Sequence, residues 1–220
     1  MLQAHRVPPR AGGTADSIIV LLHGLGDSGA GLLDLAPPLA TYLPNAVFYS
    51  PDAPEACDMA PMGRQWFGLQ DWSQDAILNG AERAAPKLNA YLDELLATHQ
   101  LPPSRLALVG FSQGSMMALH VGLRRSQGLG ALVGFSGALV GPDKIASAIR
   151  SKPPVLLVHG MMDTVVPYAA MPASAHYLQQ AGVTVLTETR PMLGHTIDQE
   201  GLTKAALFLS KHIGTSANAI

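Results

Sequence analysis

Cysteine, charged side chains and long hydrophobic runs are all scarce in this sequence of 220 residues. The single cysteine, Cys57, can form neither an intrachain disulfide nor a Cys-x-x-Cys metal or redox motif. Charged residues make up 14% of the chain, against about 25% in an average soluble protein. The net charge of −2 provides no basic surface for a phosphate backbone. Disulfide scaffolds, cysteine-based metal sites and nucleic-acid binding are therefore disfavoured.

No segment of the sequence is long and apolar enough to predict a membrane-spanning helix. The longest stretch without Asp, Glu, Lys or Arg is Thr164–Thr187, and it contains two prolines, two glutamines and a histidine. A spanning helix needs about 20 mostly apolar residues. The N-terminal stretch MLQAHRVPPRAGG also lacks the apolar core of a secretory signal peptide. We therefore expect a soluble, cytoplasmic protein with no stable membrane insertion.

Hydrophobic residues make up 48% of the chain and occur in short runs between segments of helical character. This alternation is typical of an α/β fold, in which apolar runs form parallel strands buried on both faces. Strands are predicted at Ile18–Leu22, Ala46–Tyr49, Leu106–Val109, Leu129–Phe135, Val155–His159 and Val183–Thr189. Helices are predicted around Leu32–Leu43, Ser73–His99, Ser115–Arg125 and Ile197–Leu209, with a kink or break at Pro86. Because nothing marks a boundary, we expect residues 1–220 to form one domain.

A Gly-x-Ser-x-Gly motif, centred on Ser112, lies between a predicted strand and a predicted helix. That setting is typical of a nucleophile elbow, a tight turn that exposes a reactive serine. Gly110 and Gly114 fit this interpretation because side chains there would collide with neighbouring elements. The alternative is an ordinary glycine-rich loop. A second Gly-Phe-Ser lacks the following glycine, so its serine, Ser136, is interpreted as a strand-end turn residue.

A nucleophilic serine needs a base, and the base needs an acid that orients it. In α/β-hydrolases these residues occur in the order Ser, then Asp or Glu, then His. Asp163 lies just after the fifth predicted strand, and His195 lies in the loop after the sixth. Ser112, Asp163 and His195 therefore follow three predicted strands in the required order. Glu188 and Asp198 are the alternative acids.

Two backbone N–H groups are needed to bind the oxyanion that forms when a carbonyl is attacked. One is expected from Gln113, which follows the nucleophile at the start of a helix, and the other from Leu25, in the loop after the first predicted strand. The same loop matches Gly-x-Gly-x-x-Gly over residues 24–29, a fingerprint of dinucleotide-binding folds. The acidic residue that should follow about 20 positions later is not clearly present. No metal-binding motif is found, and we expect neither metal nor cofactor.

Five motifs together resemble the phospholipase/carboxylesterase family, whose relatives include the acyl-protein thioesterases. They are HGLGDSG, PDAP followed by WFG, GFSQGS, HGMMDTVVP and LGH, in order over nearly the whole chain. The resemblance implies a compact α/β-hydrolase fold with a mostly parallel central sheet, helices on both faces and no cap domain. One motif departs from the family pattern, because an acidic residue commonly follows Trp-Phe where this chain has Gly68. Gly68 has no side chain that could take the role of that acid.

The resemblance also implies hydrolysis of carboxylic esters, lysophospholipids or acyl thioesters. We expect a cofactor-free serine carboxylesterase that hydrolyses small-molecule or lipid esters, as a monomer or a homodimer. The implied catalytic residues are the nucleophile Ser112, the base His195, its partner Asp163, and the oxyanion donors Leu25 and Gln113. We expect the acyl group to contact apolar side chains that include Met62, Trp66, Phe67 and Val166. One alternative is a lysophospholipase or acyl-protein thioesterase that acts on longer acyl chains. Another is a ligand-binding protein that has lost catalysis.

Overall fold

A seven-stranded, mostly parallel sheet forms the centre of the computed structural model, which describes residues 2–214. The strands are β1 (Ala4–Val7), β2 (Ser17–Leu22), β3 (Ala46–Pro51), β4 (Glu55–Ala56), β5 (Arg64–Gln65), β6 (Leu106–Phe111), β7 (Ala131–Phe135), β8 (Val155–Gly160) and β9 (Val185–Arg190). Their order in the main sheet is β1-β3-β2-β6-β7-β8-β9, while β4 and β5 pair separately. The strand β1 runs antiparallel to β3, and the other neighbours are parallel. The predicted α/β class with a mostly parallel sheet is confirmed.

Helices cover both faces of this sheet. They are α1 (Gly29–Leu32), α2 (Ala36–Ala40), α3 (Gln74–His99), α4 (Gln113–Gly122), α5 (Ile145–Ala148), α6 (Ala170–Gln180) and α7 (Gln199–Ile213). Along β2, Val20 and Leu22 pack in the cluster that includes α3, α4 and α6, whereas Ile19 and Leu21 pack in the cluster that includes α2 and α7. Successive side chains of a strand point to opposite faces, so both faces of the sheet are buried. Within residues 2–214, no helix combines the length and apolar character needed to cross a membrane.

Prolines have different effects in two of the predicted helices. The helix expected around residues 32–43 is instead α1, a 3-10 turn and α2, because prolines occupy the first turn of α2 and provide no backbone N–H. In contrast, α3 continues through Pro86 without a break. Pro86 is exposed, so the carbonyl oxygen of Glu82 that it leaves without a donor can bind water. The buried apolar face of α3 holds the helix together on its other side.

The strand β1 and the β4–β5 hairpin are absent from the sequence prediction. The strand β1 has only four residues, and two of them are His5 and Arg6. It becomes the edge strand of the sheet because its backbone pairs with β3, with Ala4 opposite Pro51 and Val7 opposite Phe48. Such pairing is a contact between distant segments, so no local pattern of hydrophobicity indicates it.

The topology of the sheet places two loops side by side at the carboxyl ends of the strands. The chain runs from β2 outward to β3 and later returns to β6 on the other side of β2. In open α/β sheets, ligands bind at such a switch point, in the crevice beyond the carboxyl ends. Leu22, the last residue of β2, lies opposite Gly110 of β6. The loop after β2 and the turn after β6 therefore leave the sheet at the same level.

The buried His120 is the basis of a stability prediction. It is 2% exposed within α4, and burial, with the charge of Arg124, lowers its pKa from 6.5 to about 4. Between those values the unfolded chain binds a proton that the folded chain does not, so the free energy of unfolding should fall as the pH drops from 6.5 to about 4. The difference corresponds to about 3 kcal/mol. Replacing His120 with leucine should therefore reduce the acid loss of stability by about that amount.

Urea unfolding at several pH values between these limits measures the effect. The matched control is His176→Leu, which replaces an exposed histidine of α6 and should keep the wild-type pH dependence. Equal pH dependence in wild type and His120→Leu would show that the buried imidazole has no part in the loss of stability in acid.

Candidate active site

Ser112 occupies a strained turn between β6 and α4. Its backbone angles are φ 52° and ψ −117°, a region that residues other than glycine rarely adopt. The glycines on either side are required by close backbone contacts. A Cβ atom at Gly110 would lie 2.3 Å from the carbonyl oxygen of Gly114, and one at Gly114 would lie 1.9 Å from that of Leu22. The turn therefore has the geometry of a nucleophile elbow.

Ser112, His195 and Asp163 form a hydrogen-bonded series. The Nε2 atom of His195 is 3.0 Å from Ser112 Oγ, and its Nδ1 atom is 2.8 Å from Asp163 Oδ2. The second carboxylate oxygen of Asp163 accepts hydrogen bonds from the N–H groups of Val165 and Val166, each at 2.9 Å. These contacts fix the carboxylate against Nδ1, so that Nε2 faces the serine hydroxyl as an acceptor.

The surroundings of Asp163 keep its carboxyl group ionised. Burial alone would raise the pKa, but the hydrogen bonds from His195 and from the backbone of Val165 and Val166 outweigh it and lower the pKa below its usual 3.8. Because the pKa is lower in the folded protein, the ionised group stabilises the fold above about pH 4, and this contribution is lost as acid protonates the folded form. Asp163 is thus negatively charged at any pH at which a neutral histidine can act beside it.

The alternative acids contact an arginine instead of His195. Arg190 donates from Nε to Asp198 at 2.9 Å and from Nη1 to Glu188 at 3.2 Å. Asp198 also caps α7 by accepting the N–H of Gly201. The structure therefore brings Asp163, and neither alternative, to the imidazole.

Ser136, the other serine considered, directly follows β7 and is 1% exposed. It also has a positive φ, 47°, so backbone strain by itself does not distinguish it from Ser112. The distinction comes from the base, because the His195 ring hydrogen-bonds Ser112. This agrees with the interpretation of Ser136 as a strand-end turn residue.

A second histidine, His159, lies next to Asp163, and the sequence alone assigns it no function. It is the penultimate residue of β8 and is 2% exposed. Its Nε2 atom is 2.9 Å from the carbonyl oxygen of Val166 and 3.3 Å from Asp163 Oδ2. The ring thus supports the loop that holds the carboxylate. The available signal was its position four residues before Asp163 at the end of a strand.

The loop after β2 lies against Ser112 and presents the second expected oxyanion donor. A Cβ atom at Gly24 would lie 3.3 Å from the Cβ of Ser112. Within residues 2–214, the N–H of Leu25 donates to no protein acceptor. Gln113 is the first residue of α4, where N–H groups have no intrahelical acceptor. Both N–H groups are therefore available beside the nucleophile.

The Gly-x-Gly-x-x-Gly match in this loop does not form a phosphate site. The N-terminus of α1 is already capped, because Ser28 Oγ accepts the N–H of Gly31 and Asp52 Oδ1 accepts that of Gly29 at 2.8 Å. A carboxylate thus lies where the pyrophosphate of a dinucleotide would bind. The helix itself has only four residues. This geometry argues against the dinucleotide alternative.

The structure buries Trp66 and Phe67, two of the side chains expected at the acyl group. Each side chain is 1% exposed, because Trp66 donates from its indole nitrogen to the carbonyl oxygen of His23 and Phe67 packs against Gly80 of α3. Both side chains anchor the loop. Val166 is 7% exposed and holds Asp163 through its N–H. Of the four side chains expected at the acyl group, Met62 alone is mostly exposed, at 94%.

Gly68, where the family commonly has an acid, lies beside another carboxylate. A Cβ atom at this position would be 2.5 Å from Oε1 of Gln70 and 3.2 Å from Oδ2 of Asp58. Asp58 also accepts a hydrogen bond from Gln65 at 2.9 Å. A negative charge is therefore present at this part of the loop, although a different residue carries it.

Comparisons with known proteins agree on one family. A family model described as phospholipase/carboxylesterase matches residues 9–213. A probable carboxylesterase from Oryza sativa subsp. japonica is 29% identical, with 98% of this chain and 86% of that protein covered. An acyl-protein thioesterase 1 from Schizosaccharomyces pombe is 30% identical over 90% of this chain and 91% of its own. The crystal structure of esterase PE8 superimposes with a TM-score of 0.92 at 41% identity, covering 96% of this chain and 99% of that one.

The contact at Gly114 leads to a test of the elbow. Gly114→Ala should destabilise the protein by about 3 kcal/mol or more, because the added methyl group must displace backbone rather than a flexible side chain. Gly128→Ala is the control: its Cβ would meet the Cβ of Ser151 at an ordinary 3.5 Å, so it should stay within about 0.5 kcal/mol of wild type. Denaturant unfolding measures both. Equal stability of the two variants would contradict the close contact.

Proposed function

The chain belongs to the phospholipase/carboxylesterase family, and from this we propose that it is a serine carboxylesterase whose acyl-enzyme forms on Ser112. The observation that carries the proposal is the series Ser112–His195–Asp163, with contacts of 3.0 and 2.8 Å, on a strained turn beside two free N–H groups. Nucleophile, base, orienting acid and oxyanion donors are then all present within one crevice.

In the first half of the reaction, Ser112 Oγ attacks the ester carbonyl while His195 Nε2 takes the hydroxyl proton. The carbonyl oxygen becomes an oxyanion and accepts hydrogen bonds from the N–H groups of Leu25 and Gln113. Asp163, still ionised, stabilises the imidazolium. His195 then gives its proton to the leaving alcohol as the carbon–oxygen bond breaks, which leaves the acyl group on Ser112.

In the second half, water takes the place of the serine hydroxyl. His195 removes a proton from the water as its oxygen attacks the acyl-enzyme, and the same N–H groups hold the second oxyanion. When the intermediate collapses, His195 returns the proton to Ser112 Oγ and the carboxylic acid leaves. Nothing is oxidised or reduced in either half of the reaction. Apart from the ester and water, the reaction steps use only side chains and backbone groups of the chain.

Exposed apolar side chains on the loops next to the site favour a broad range of acyl groups. Several follow β8 or β9, and one lies in the long loop packed on the loop after β2. They are Met62, Met161, Met162, Val165 and Met192, each at least half exposed. Methionine side chains adapt to ligands of different shape. This observation also supports the second candidate, a lysophospholipase or acyl-protein thioesterase that takes longer acyl chains.

A substrate panel separates the two candidates. Hydrolysis of p-nitrophenyl esters with acyl chains from acetyl to palmitoyl, beside an acyl thioester and a lysophospholipid, measures kcat/KM for each class. A carboxylesterase should prefer the shorter esters, whereas the second candidate should prefer the long-chain ester, the thioester or the lysophospholipid.

We propose that the protein is cytoplasmic, where the free, buried thiol of Cys57 stays reduced.

Removal of the nucleophile tests the mechanism. Ser112→Ala should lower kcat by about 10⁶, as is found when one member of a catalytic unit is removed, and a further His195→Ala change should cost little more. Initial rates with a p-nitrophenyl ester provide the measurement. Ser136→Ala is the matched control and should keep wild-type activity within a few fold. More than about a hundredth of the wild-type rate in Ser112→Ala would exclude Ser112 as the nucleophile.

The pH dependence should show one acid limb. Only neutral His195 can accept the serine proton, so kcat/KM should fall as the pH decreases from about 8 to about 5. Asp163 should add no second limb in this range, because its hydrogen bonds lower its pKa below 3.8. A chelator should leave the rate unchanged. A flat profile over this range, or inactivation by the chelator, would contradict the proposed chemistry.

A further inference from the structure

The two proposed oxyanion donors come from separate elements that a third segment connects. The Leu25 N–H belongs to the loop after β2, and the Gln113 N–H belongs to the first turn of α4. Residues 63–67, here called the bridging segment, contact both of them. The bridging segment lies within the long loop between β3 and α3.

The side chain of Gln113 holds one end of the bridging segment. It is buried, and its Oε1 atom accepts the backbone N–H of Trp66 at 2.9 Å. Its Nε2 atom donates to the carbonyl oxygen of Phe67 at 2.7 Å. One carboxamide therefore satisfies both a donor and an acceptor of the bridging segment. Only a side-chain group that has both an acceptor and a donor atom, as a carboxamide has, can make these two hydrogen bonds.

The other end of the bridging segment holds the oxyanion loop. The N–H of Gly26 donates to the carbonyl oxygen of Arg64 at 2.9 Å, and the N–H of Arg64 donates to that of Asp27 at 2.8 Å. No space separates the two segments, since a Cβ atom at Gly63 would lie 2.2 Å from the carbonyl oxygen of Gly26. Leu25 is thus followed by two residues, Gly26 and Asp27, that are each hydrogen-bonded to Arg64 of the bridging segment.

A third contact joins the bridging segment to the start of the oxyanion loop. The indole N–H of Trp66 donates to the carbonyl oxygen of His23 at 3.0 Å. The ring of His23 is itself buried between the carbonyl oxygen of Gly24, 2.7 Å from Nδ1, and the N–H of Ala53, 3.0 Å from Nε2. Leu25 is therefore tied to the bridging segment on both sides, through His23 and through Gly26.

We propose that the side-chain carboxamide of Gln113 is a positioning group, which sets the distance between the Leu25 N–H and the N–H of Gln113 itself. The proposal rests on the proposed function, because these two N–H groups matter only if an oxyanion forms. Oxyanion donors must lie about 2.7–3.1 Å from the charged oxygen, and small displacements in an active site reduce rates strongly. The position of Gln113 in the sequence predicts a role for its backbone N–H and only a secondary one for its side-chain amide.

Two substitutions separate the side chain from the backbone N–H, which both retain. Gln113→Met has nearly the same length but makes no hydrogen bond to the bridging segment. The kcat of Gln113→Met should fall about 10²-fold, which is the low end of the decrease in kcat when one oxyanion donor is removed. Its KM should stay within about threefold of wild type, because the donors act mainly in the transition state. Its rate relative to wild type should not depend on pH.

Gln113→Glu provides a rescue within a single protein. A neutral carboxylic acid has a carbonyl oxygen for the Trp66 N–H and an O–H for the Phe67 carbonyl, so it reproduces the wild-type pattern. The carboxylate has two acceptors, one of which faces that carbonyl oxygen. Burial raises the pKa of a carboxyl group at this position. The kcat of Gln113→Glu relative to wild type should therefore increase at least tenfold as the pH decreases from about 8 to about 5.5.

Ser174→Ala is the control for the loss of a buried side-chain hydrogen bond to a loop. Ser174 is 4% exposed, and its hydroxyl accepts the N–H of Leu139 at 2.9 Å and donates to the carbonyl oxygen of Ala170. This variant should lower Tm and leave kcat unchanged. A role of Gln113 in stability alone would give the same result for Gln113→Met. Circular dichroism and thermal melting establish which variants are folded at the assay temperature.

The outcomes distinguish this proposal from the proposed function. A folded Gln113→Met with kcat within about threefold of wild type, or a folded Gln113→Glu whose relative rate does not change with pH, overturns the positioning role. Should Gln113→Met fail to fold, the pH comparison within Gln113→Glu decides. Failure of the proposed function would instead appear as a wild type without esterase activity, or as an active Ser112→Ala.

Discussion

The backbone contact between Gly114 and the end of β2 is the constraint on which the site depends. The first turn of α4 approaches the carbonyl oxygens of Leu22 and His23 so closely that a Cβ atom would lie 1.9 and 2.7 Å from them. This approach brings the elbow against the loop that carries Leu25. It also requires the abrupt turn after β6, which Ser112 accommodates with its positive φ. Strain at the serine and proximity of the two N–H groups thus have one common cause.

The acid and the histidine are aligned by a second set of backbone contacts. The loops after β8 and β9 are joined by hydrogen bonds of 2.9 Å from the N–H of Met161 to the carbonyl oxygen of Arg190, and from the N–H of Met162 to that of Leu193. Asp163 and His195 therefore belong to one connected unit, since parallel pairing of β8 with β9 continues into their loops. Because backbone groups make these ties, the neighbouring side chains can vary without moving the imidazole.

The long loop between β3 and α3 has two parts with different environments. Trp66 and Phe67 are buried and connect the loop to the sheet and to α3, whereas Met59 and Met62 are exposed. Buried anchors hold this part of the loop against the loop after β2 and against α3. The exposed methionines of the same loop provide an adaptable apolar surface, while the buried part of the loop stays ordered. One segment thus combines a fixed, buried part with an adaptable, exposed part.

The sequence by itself determined the features that depend on neighbouring residues. Apolar runs predict the buried parallel strands, and the glycines around Ser112 predict the elbow, because both follow from local sterics and periodicity. Only the tertiary structure decided the rest. The exclusion of Glu188 as an alternative to Asp163, the burial of Trp66 and the hydrogen bonds of the Gln113 carboxamide each depend on contacts between segments far apart in the chain. Such contacts exist once the sheet has brought its carboxyl ends together, and no local pattern of residue types encodes them.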